Sequence, residues 1–130
     1  MKTDLPLPAH FRVEERPKIE KFIWEYSKKN PDGFTISINL EGDMLILRKV
    51  TSGKVAAYAE TQKSFGIEGL RRCLINALQN SHFLGGWLED GLYYFDCVKV
   101  FLTLEEAIAF GKEQSQISVF DIDENLFSRL

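Results

Sequence analysis

The sequence of 130 residues has little of what would assign a function directly. Its longest apolar stretches, such as residues 44–47, are strand-sized and far shorter than the roughly 20 residues that cross a bilayer. Pro6 and Pro8 stand where a secretion signal needs an apolar run. The chain also lacks a glycine-rich phosphate-binding motif. We therefore expect no membrane association, no secretion signal and a cytoplasmic location.

Metal-ligating and nucleophilic residues are scarce, with two cysteines and two histidines in the whole chain. His10 and His82 are far apart, and Cys73 and Cys97 make no CxxC motif, so no zinc-site spacing is present. Both cysteines lie in apolar surroundings, which favours buried, reduced thiols over a disulfide or an activated nucleophile. We expect no metal and no cofactor, and the sequence offers no catalytic residue.

An excess of positive charge is also absent. The chain carries 16 Lys and Arg against 19 Asp and Glu, a formal net charge of −3. This balance excludes a global electrostatic attraction to nucleic acid or to an anionic membrane. The alternative is a local basic face, which would consist of Lys63, Arg71, Arg72 and Lys112.

What the sequence does contain is enough apolar material for one folded domain. Hydrophobic residues make up 45% of the chain and charged residues 27%, which is typical of a globular protein. Residues 1–15 are predicted to form an extended N-terminal arm, because Pro6 and Pro8 disfavour helix around themselves. Residues 16–130 are predicted to form a single α+β domain.

Hydrophobic periodicity predicts the elements in the first part of this domain. A helix is predicted over residues 17–29, where apolar residues fall on one stripe. Three strands follow and are expected to pair as an antiparallel meander: 34–40, 44–50 and 55–60. A second helix is predicted over residues 65–80, with Ser64 as its N-cap.

The last third of the chain carries the clearest pattern. Residues 84–88 and 92–101 are predicted to pair as a hairpin around Asp90-Gly91, a dipeptide favoured where both turn residues need a positive φ. A capping box at Thr103 then starts a helix that ends near residue 114. A strand at 117–122 follows, which predicts a right-handed parallel crossover, and the remaining tail is expected to form one helical turn.

One irregularity appears in the second arm of the hairpin. Tyr93, Phe95 and Cys97 keep one phase of the alternation, whereas the apolar residues Val98 and Val100 take the other phase. Since a shift of one residue swaps the faces of a strand, this pattern predicts a bulge or a bend near Cys97.

The hairpin also contains the principal candidates for a binding site. Gly85 and Gly86 would let a ligand or another backbone approach closely, and Trp87 could stack on it. Tyr93 and Tyr94 add aromatic density of the kind that is over-represented at interface hot spots. The alternative is a twisted strand whose tryptophan fills the core.

Three charged residues complete the set of candidates. Asp96 lies between aromatic residues, where burial would raise its pKa as expected of a general acid or base. The alternative is an aspartate that bonds to backbone amides or pairs with Lys99. Arg71 and Arg72 could bind a phosphate or an acidic partner, the alternative being a solvated helix face.

The stretch from Gly85-Gly86-Trp87 through Tyr93-Tyr94-Phe95-Asp96 also contains Glu106-Ala107 and Phe110-Gly111. In these motifs residues 33–122 resemble small uncharacterised proteins of bacteria and their mobile elements. That group has no established activity. The resemblance therefore implies a bacterial or phage intracellular protein and no catalytic residue.

Together these predictions give an α+β fold, a two-layer sandwich. Its mixed, mainly antiparallel sheet of five or six strands has helices on one face, and the first helix lies at an edge or on the far side. The favoured function is a non-enzymatic binding or adaptor module that acts through protein–protein contacts, with a partner protein or by self-association. The arm is expected to wrap that partner or a second copy.

Two other function classes stay open. One is a small enzyme or ligand-binding domain with a pocket near Asp96 and Trp87, joined by His82 or Gln62. The other is nucleic-acid binding through the local basic face, which the net acidity of the chain disfavours.

Overall fold

The computed structural model describes residues 5–130 of the chain, which contain three helices and nine strands. The helices are α1 (Arg16–Lys29), α2 (Gly66–Gln79) and α3 (Leu104–Glu113). The strands are β1 (Ala9–Arg12), β2 (Phe34–Glu41), β3 (Met44–Lys49), β4 (Lys54–Ala57), β5 (Ser64–Phe65), β6 (Phe83–Glu89), β7 (Leu92–Phe101), β8 (Ser118–Asp121) and β9 (Leu126–Arg129). None of the three helices is both long enough and apolar enough to cross a membrane.

The strands form one sheet in the order β1-β3-β2-β6-β7-β4-β8-β9, and the short β5 also pairs with β7. Every strand pair within residues 5–130 is antiparallel. The predicted α+β sandwich is confirmed, with nine strands in place of five or six. The meander is confirmed for β2 and β3 only, because β4 inserts between β7 and β8, where Val55 and Ala57 meet Val100 and Val98.

The insertion of β4 also changes the predicted crossover. β4 is antiparallel to both β7 and β8, so these two strands run in the same direction without being neighbours. The tail, predicted as a helical turn, instead forms β9 and pairs with β8 as a hairpin. Asn125 in the turn has a φ of +55°, a conformation that asparagine tolerates.

All three helices cover the same face of the sheet. The main core lies under α1 and α2, where Ile23 and Leu74 join Ile36, Leu47 and Phe95 of the strands. α3 packs on the same face over Ala56 of β4 and Val119 of β8. The prediction that the first helix lies at an edge or on the far side is therefore wrong. We call the opposite side of the sheet the helix-free face, since no helix of residues 5–130 packs on it.

Part of the predicted arm belongs to the sheet. Residues 9–12 form the edge strand β1, which pairs with β3. Phe11 packs edge-on against Phe22 of α1, with ring centroids 5.6 Å apart, and Leu5 and Leu7 contact the main core. This segment is held by its own domain, whereas we expected it to wrap a partner. The first four residues of the arm lie outside the described part of the chain.

The hairpin of β6 and β7 forms as predicted, and its turn residues Asp90 and Gly91 have φ values of +52° and +80°. The β6–β7 pairing runs without a break from Phe83–Val98 to Glu89–Leu92. The bulge predicted near Cys97 is therefore wrong for the β6–β7 ladder. The strand alternates regularly, and Val98 and Val100 lie on the helix-free face. Apolar residues change phase in the sequence because both faces of β7 carry apolar side chains.

The irregularity lies beside β7 rather than within it. Between β4 and β5 the chain makes an excursion over residues 58–63, which includes one turn of 3-10 helix at Ala59–Thr61. The Cys97 amide donates to Thr61 Oγ1 at 3.0 Å, and the Cys97 carbonyl accepts from the Tyr58 amide at 3.0 Å. These two hydrogen bonds fasten the excursion to the middle of β7.

The two predicted helix caps have different outcomes. Thr103 caps α3, because its Oγ1 accepts from the Glu106 amide at 3.2 Å. Ser64 does not cap α2 and instead donates to the Thr61 carbonyl at 2.7 Å. α2 begins at Gly66 without a side-chain cap, since Phe65 stands at the capping position.

The cysteines are free thiols and buried, as predicted. Burial raises the pKa of the Cys73 thiol to about 12 and raises the pKa of Cys97 as well. A thiol with a raised pKa is a poor nucleophile at neutral pH.

Candidate functional site

The helix-free face has a polar half and an apolar half. Because Ile36, Ile38, Leu45 and Leu47 point into the core, the alternate residues of β2 and β3 lie on the helix-free face. Those residues are mostly polar: Thr35, Ser37, Asn39, Glu41, Met44, Ile46 and Arg48. The same alternation places an apolar set on β4 to β9: Val55, Ala57, Phe65, Phe83, Trp87, Tyr94, Val98, Val100, Phe120 and Phe127.

Three rings on the apolar half pack on one another. Trp87 and Tyr94 are cross-strand neighbours and stack, with ring centroids 5.5 Å apart and an interplanar angle of 14°. Phe65 of β5 meets Tyr94 edge-on at 5.9 Å and is 49% exposed. None of the three packs into the cores under the helices. We call Phe65, Trp87 and Tyr94 the aromatic patch.

Asp96 lies beside this patch on the same face. It follows Tyr94 by two residues and stands directly opposite Gly85, so no side chain covers it from that position of β6. Burial raises the pKa of Asp96 from its ordinary value of 3.8 to about 7, and no hydrogen bond or charge from residues 5–130 contributes to the shift. Neighbouring side chains therefore exclude water from the carboxyl group, but they provide no hydrogen bond or positive charge that would stabilise its ionised form.

The alternative in which Asp96 pairs with Lys99 does not form, because the two residues lie on opposite faces of β7. The Lys99 ammonium lies over the rings of Phe101 and Phe110, 5.5 and 5.4 Å from their centroids. These contacts belong to the side of the sheet that α3 covers.

The two adjacent glycines have different roles. A Cβ atom at Gly86 would lie 2.6 Å from Phe34 Cζ and 3.2 Å from Phe95 Cδ1, so core packing requires glycine there. A Cβ atom at Gly85 would meet the Phe34 carbonyl at 3.5 Å and Val98 at 3.6 Å, which is ordinary contact. Packing does not require glycine at position 85, although Gly85 is itself buried among its neighbours on the sheet.

The other predicted site residues have structural contacts away from the patch. Tyr93 lies on the core face and packs edge-on against Trp24, with ring centroids 5.5 Å apart. Arg71 pairs with Glu20 of α1 at 3.1 Å, and Arg72 donates to a backbone carbonyl. Both arginines make intramolecular contacts, and Lys112 of the predicted basic face is on a different helix, α3.

Two concavities in residues 5–130 lie away from Asp96. One of about 180 Å³ is lined by apolar residues of α1, β2, β3 and α2 together with His82. Another lies along α2 beside Arg71 and Arg72. Neither is lined by Asp96 or Trp87, and no cluster of three metal-ligating side chains occurs in residues 5–130.

Sequence reasoning missed two residues of this surface. Glu89 accepts a hydrogen bond from Trp87 Nε1 at 3.1 Å, and the alternation of β6 places it on the face that carries Trp87. That alternation could have identified Glu89. Phe65 was predicted as part of a helix, so no local signal connected it with Tyr94.

These features define an α+β sandwich with an aromatic patch and a half-buried carboxyl group on the face that no helix of residues 5–130 covers. No family model, curated protein or solved structure matches the chain. The resemblance to small bacterial proteins stays a prediction, and any functional inference depends on the geometry of the helix-free face.

Proposed function

We propose that this protein is a non-enzymatic binding module that docks a partner protein on the apolar half of its helix-free face. The observation that carries the proposal is the aromatic patch, in which three rings pack on one another outside both cores. Contiguous apolar surfaces on soluble domains mark interaction sites, and Trp and Tyr dominate the energetics of such sites.

Apolar side chains continue on this face from the hairpin to the edge of the sheet, although Val55 within the row is buried. Cross-strand pairing forms a continuous row of Val100, Val55, Phe120 and Phe127. Phe127 ends this row on the edge strand β9 and is 74% exposed. A partner that covered this half of the face would therefore contact five neighbouring strands.

The charges on the surface favour a different protein over a second copy. Asp96 and Glu89 flank the stacked rings, each two residues from one of them on the same face. A second copy that packed its own apolar half here would bury these carboxylates without an opposite charge, which is costly. A partner that brings basic side chains among its apolar ones would be complementary.

Site-specific photo-crosslinking tests the proposal. A benzophenone amino acid at position 65 should form an adduct with a partner protein in cells, whereas the same amino acid at Glu105, an exposed position of α3, should not. The partner is then identified, purified and titrated against the unmodified chain. Trp87→Ala should weaken the Kd at least about tenfold, as expected at an interface hot spot.

Leu102→Ala serves as the matched control, since Leu102 is an apolar side chain 89% exposed outside the patch. This variant should leave the Kd unchanged, and both variants should give the circular dichroism spectrum of the folded parent at the temperature of the titration. An adduct between two copies of the chain would replace the proposal with self-association. Absence of an adduct at position 65, or an unchanged Kd for Trp87→Ala, would contradict docking on this face.

A further inference from the structure

The sheet ends in two edge strands, β1 and β9, and no strand of residues 5–130 pairs with the outer side of either one. An open edge presents unpaired N–H and C=O groups, which can pair with a strand of another chain. What each edge can bind depends on which of these backbone groups it offers.

The edge at β1 is largely blocked. The Arg12 amide donates to Glu15 Oε1 at 2.8 Å rather than to β3, so Arg12 and the alternate residue His10 direct their backbone groups away from β3. The Arg12 carbonyl also accepts from the Glu15 amide, at 2.9 Å. Pro8 stands just before the strand and has no N–H to donate. Little of this edge is therefore free to pair with another strand.

The edge at β9 is open along its length. The Leu130 amide donates to the Ile117 carbonyl at 2.9 Å, which makes these two residues a hydrogen-bonded pair of the β8–β9 ladder. Because hydrogen-bonded and non-hydrogen-bonded pairs alternate, the backbone groups of Phe127 and Arg129 point away from β8. β9 contains no proline or lysine, the residues that commonly protect an edge. The N–H and C=O groups of Phe127 and Arg129 are thus offered to an incoming strand.

A second copy of β9 fits these backbone groups. If two β9 strands pair antiparallel about a two-fold axis at Ser128, Phe127 of each copy lies opposite Arg129 of the other, and both pairs exchange their hydrogen bonds. An axis at Phe127 would instead bring Arg129 opposite Asn125, which lies in the turn with a φ of +55°. An axis at Arg129 would place two like charges directly opposite each other. Ser128 is therefore the axis that uses every open group of this edge.

The side chains of β9 favour the same register. Phe127 and Arg129 lie on the helix-free face, where Phe127 packs on Phe120 with ring centroids 4.8 Å apart and is still 74% exposed. Across the axis at Ser128, the guanidinium group of each Arg129 would lie against the Phe127 ring of the other copy, which is a cation–π contact. Ser128 faces the other side of the sheet and is small enough for the close spacing of a non-hydrogen-bonded pair. The strand is therefore complementary to itself in charge and in shape.

We infer that two copies of the chain associate through antiparallel pairing of their β9 strands, with Ser128 on the two-fold axis. The two sheets join into one, and both helix-free faces lie on the same side, because the alternation of side chains continues across the new pair. β8 and β4 separate β9 from β7, so the association leaves the aromatic patch uncovered and is independent of the proposed docking. A strand of four residues buries little surface, so the dimer is a weak one.

Sedimentation equilibrium of the full chain at concentrations up to about 1 mM tests the association, and a reversible monomer–dimer equilibrium is expected. Arg129→Pro removes an outward N–H from each copy without removing a bond to β8, so it should raise the dimer Kd at least about tenfold. His10→Pro makes the same change at an outward position of β1 and should leave the Kd unchanged. A monomer at every concentration would overturn the inference, and so would equal weakening by the two substitutions.

Disulfide formation tests the register without relying on a proline variant. Opposite residues of a non-hydrogen-bonded pair lie about 4.5 Å apart at their Cα atoms, a distance that a disulfide can bridge. Ser128→Cys should therefore form a disulfide-linked dimer at least about tenfold faster than Arg129→Cys, whose two copies lie too far apart across the axis. The native cysteines, Cys73 and Cys97, are buried and should not react. Equal rates at the two positions would contradict an axis at Ser128.

The two proposals fail in different ways. If a partner adduct forms at position 65 while the chain stays monomeric, the docking face stands and the pairing of β9 strands is wrong. If Ser128→Cys dimerises as expected and no adduct forms at position 65, the pairing of β9 strands stands and the docking proposal is wrong.

Discussion

Gly85 and Gly86 show how much two adjacent residues of one type can differ. A methyl group at position 86 would collide with the ring of Phe34 and crowd that of Phe95, whereas a methyl group at position 85 would do neither. Gly86→Ala is expected to lower the free energy of unfolding by about 1–3 kcal/mol, the usual cost of overpacking a core. Gly85→Ala meets only ordinary contacts and replaces a strand glycine, so it should not lower the free energy of unfolding. Urea unfolding monitored by circular dichroism measures both.

A second substitution tests the cause that we assign to the Gly86 effect. Phe34→Leu removes the ring atoms that lie closest to position 86, so the double variant Gly86→Ala/Phe34→Leu should lose less stability than the two single changes together. Equal destabilisation by Gly85→Ala and Gly86→Ala would show that strand propensity, and not the Phe34 contact, determines the effect.

The sequence allowed part of the candidate site to be predicted at this scale. The Asp90-Gly91 turn sets the hairpin register, and that register pairs Trp87 with Tyr94. Which of the two tyrosines faces the core could not be predicted, because both faces of β7 carry apolar residues. The answer depends on where the helices pack, and that is a tertiary property.

At the level of elements, the excursion between β4 and β5 depends on one buried hydroxyl group. Thr61 is fully buried, and its Oγ1 accepts from the Cys97 amide. Thr61→Val keeps the shape and removes the acceptor, so a buried N–H loses its partner at a cost of about 1–3 kcal/mol. Thr61→Ser keeps the hydroxyl group and loses one methyl group, which costs about 0.8 kcal/mol.

Hydrogen exchange locates the effect of these substitutions. The Cys97 amide should exchange faster in Thr61→Val than in Thr61→Ser when both are compared at equal global stability. If the amide is equally protected in both variants, the Thr61 hydroxyl does not hold the excursion to β7.

Local signals predicted most of the elements, and long-range pairing explains the errors. Alternation in β2, the hairpin turn and the Thr103 cap are local properties, and all three are confirmed. The pairing of β4 with β7 joins segments more than 40 residues apart, and local patterns do not report such a choice. β9 was missed because four residues are too few to show a clear period.

At the scale of the whole molecule, Asp96 connects the helix-free face with the stability of the fold. Its pKa is about 7 in the folded state against an ordinary value of 3.8. From about pH 4 to about pH 7 the folded protein therefore binds more protons than the unfolded chain, and the free energy of unfolding falls as the pH rises. The loss is complete above the folded-state pKa.

Other carboxyl groups act in the opposite direction at lower pH. Hydrogen bonds and basic neighbours lower the pKa values of Glu15, Glu41 and Asp123. The stability that these groups contribute is present above their unfolded pKa values and is lost as the pH falls through their folded ones. Their effect is confined to pH values below about 4.5, so it does not overlap most of the Asp96 window.

Asp96→Asn should therefore remove the decline in stability between about pH 5 and pH 8, and Asp90→Asn should keep it. Urea unfolding midpoints at these two pH values measure the slope for each protein, and parallel slopes in the parent and Asp96→Asn would contradict the assignment. If the decline is present, the ionised Asp96 weakens the free fold at neutral pH. A partner that places a positive charge at this carboxylate would bind only the folded state and would offset the destabilisation by ionised Asp96. Partner binding on the helix-free face would therefore raise the free energy of unfolding of the domain.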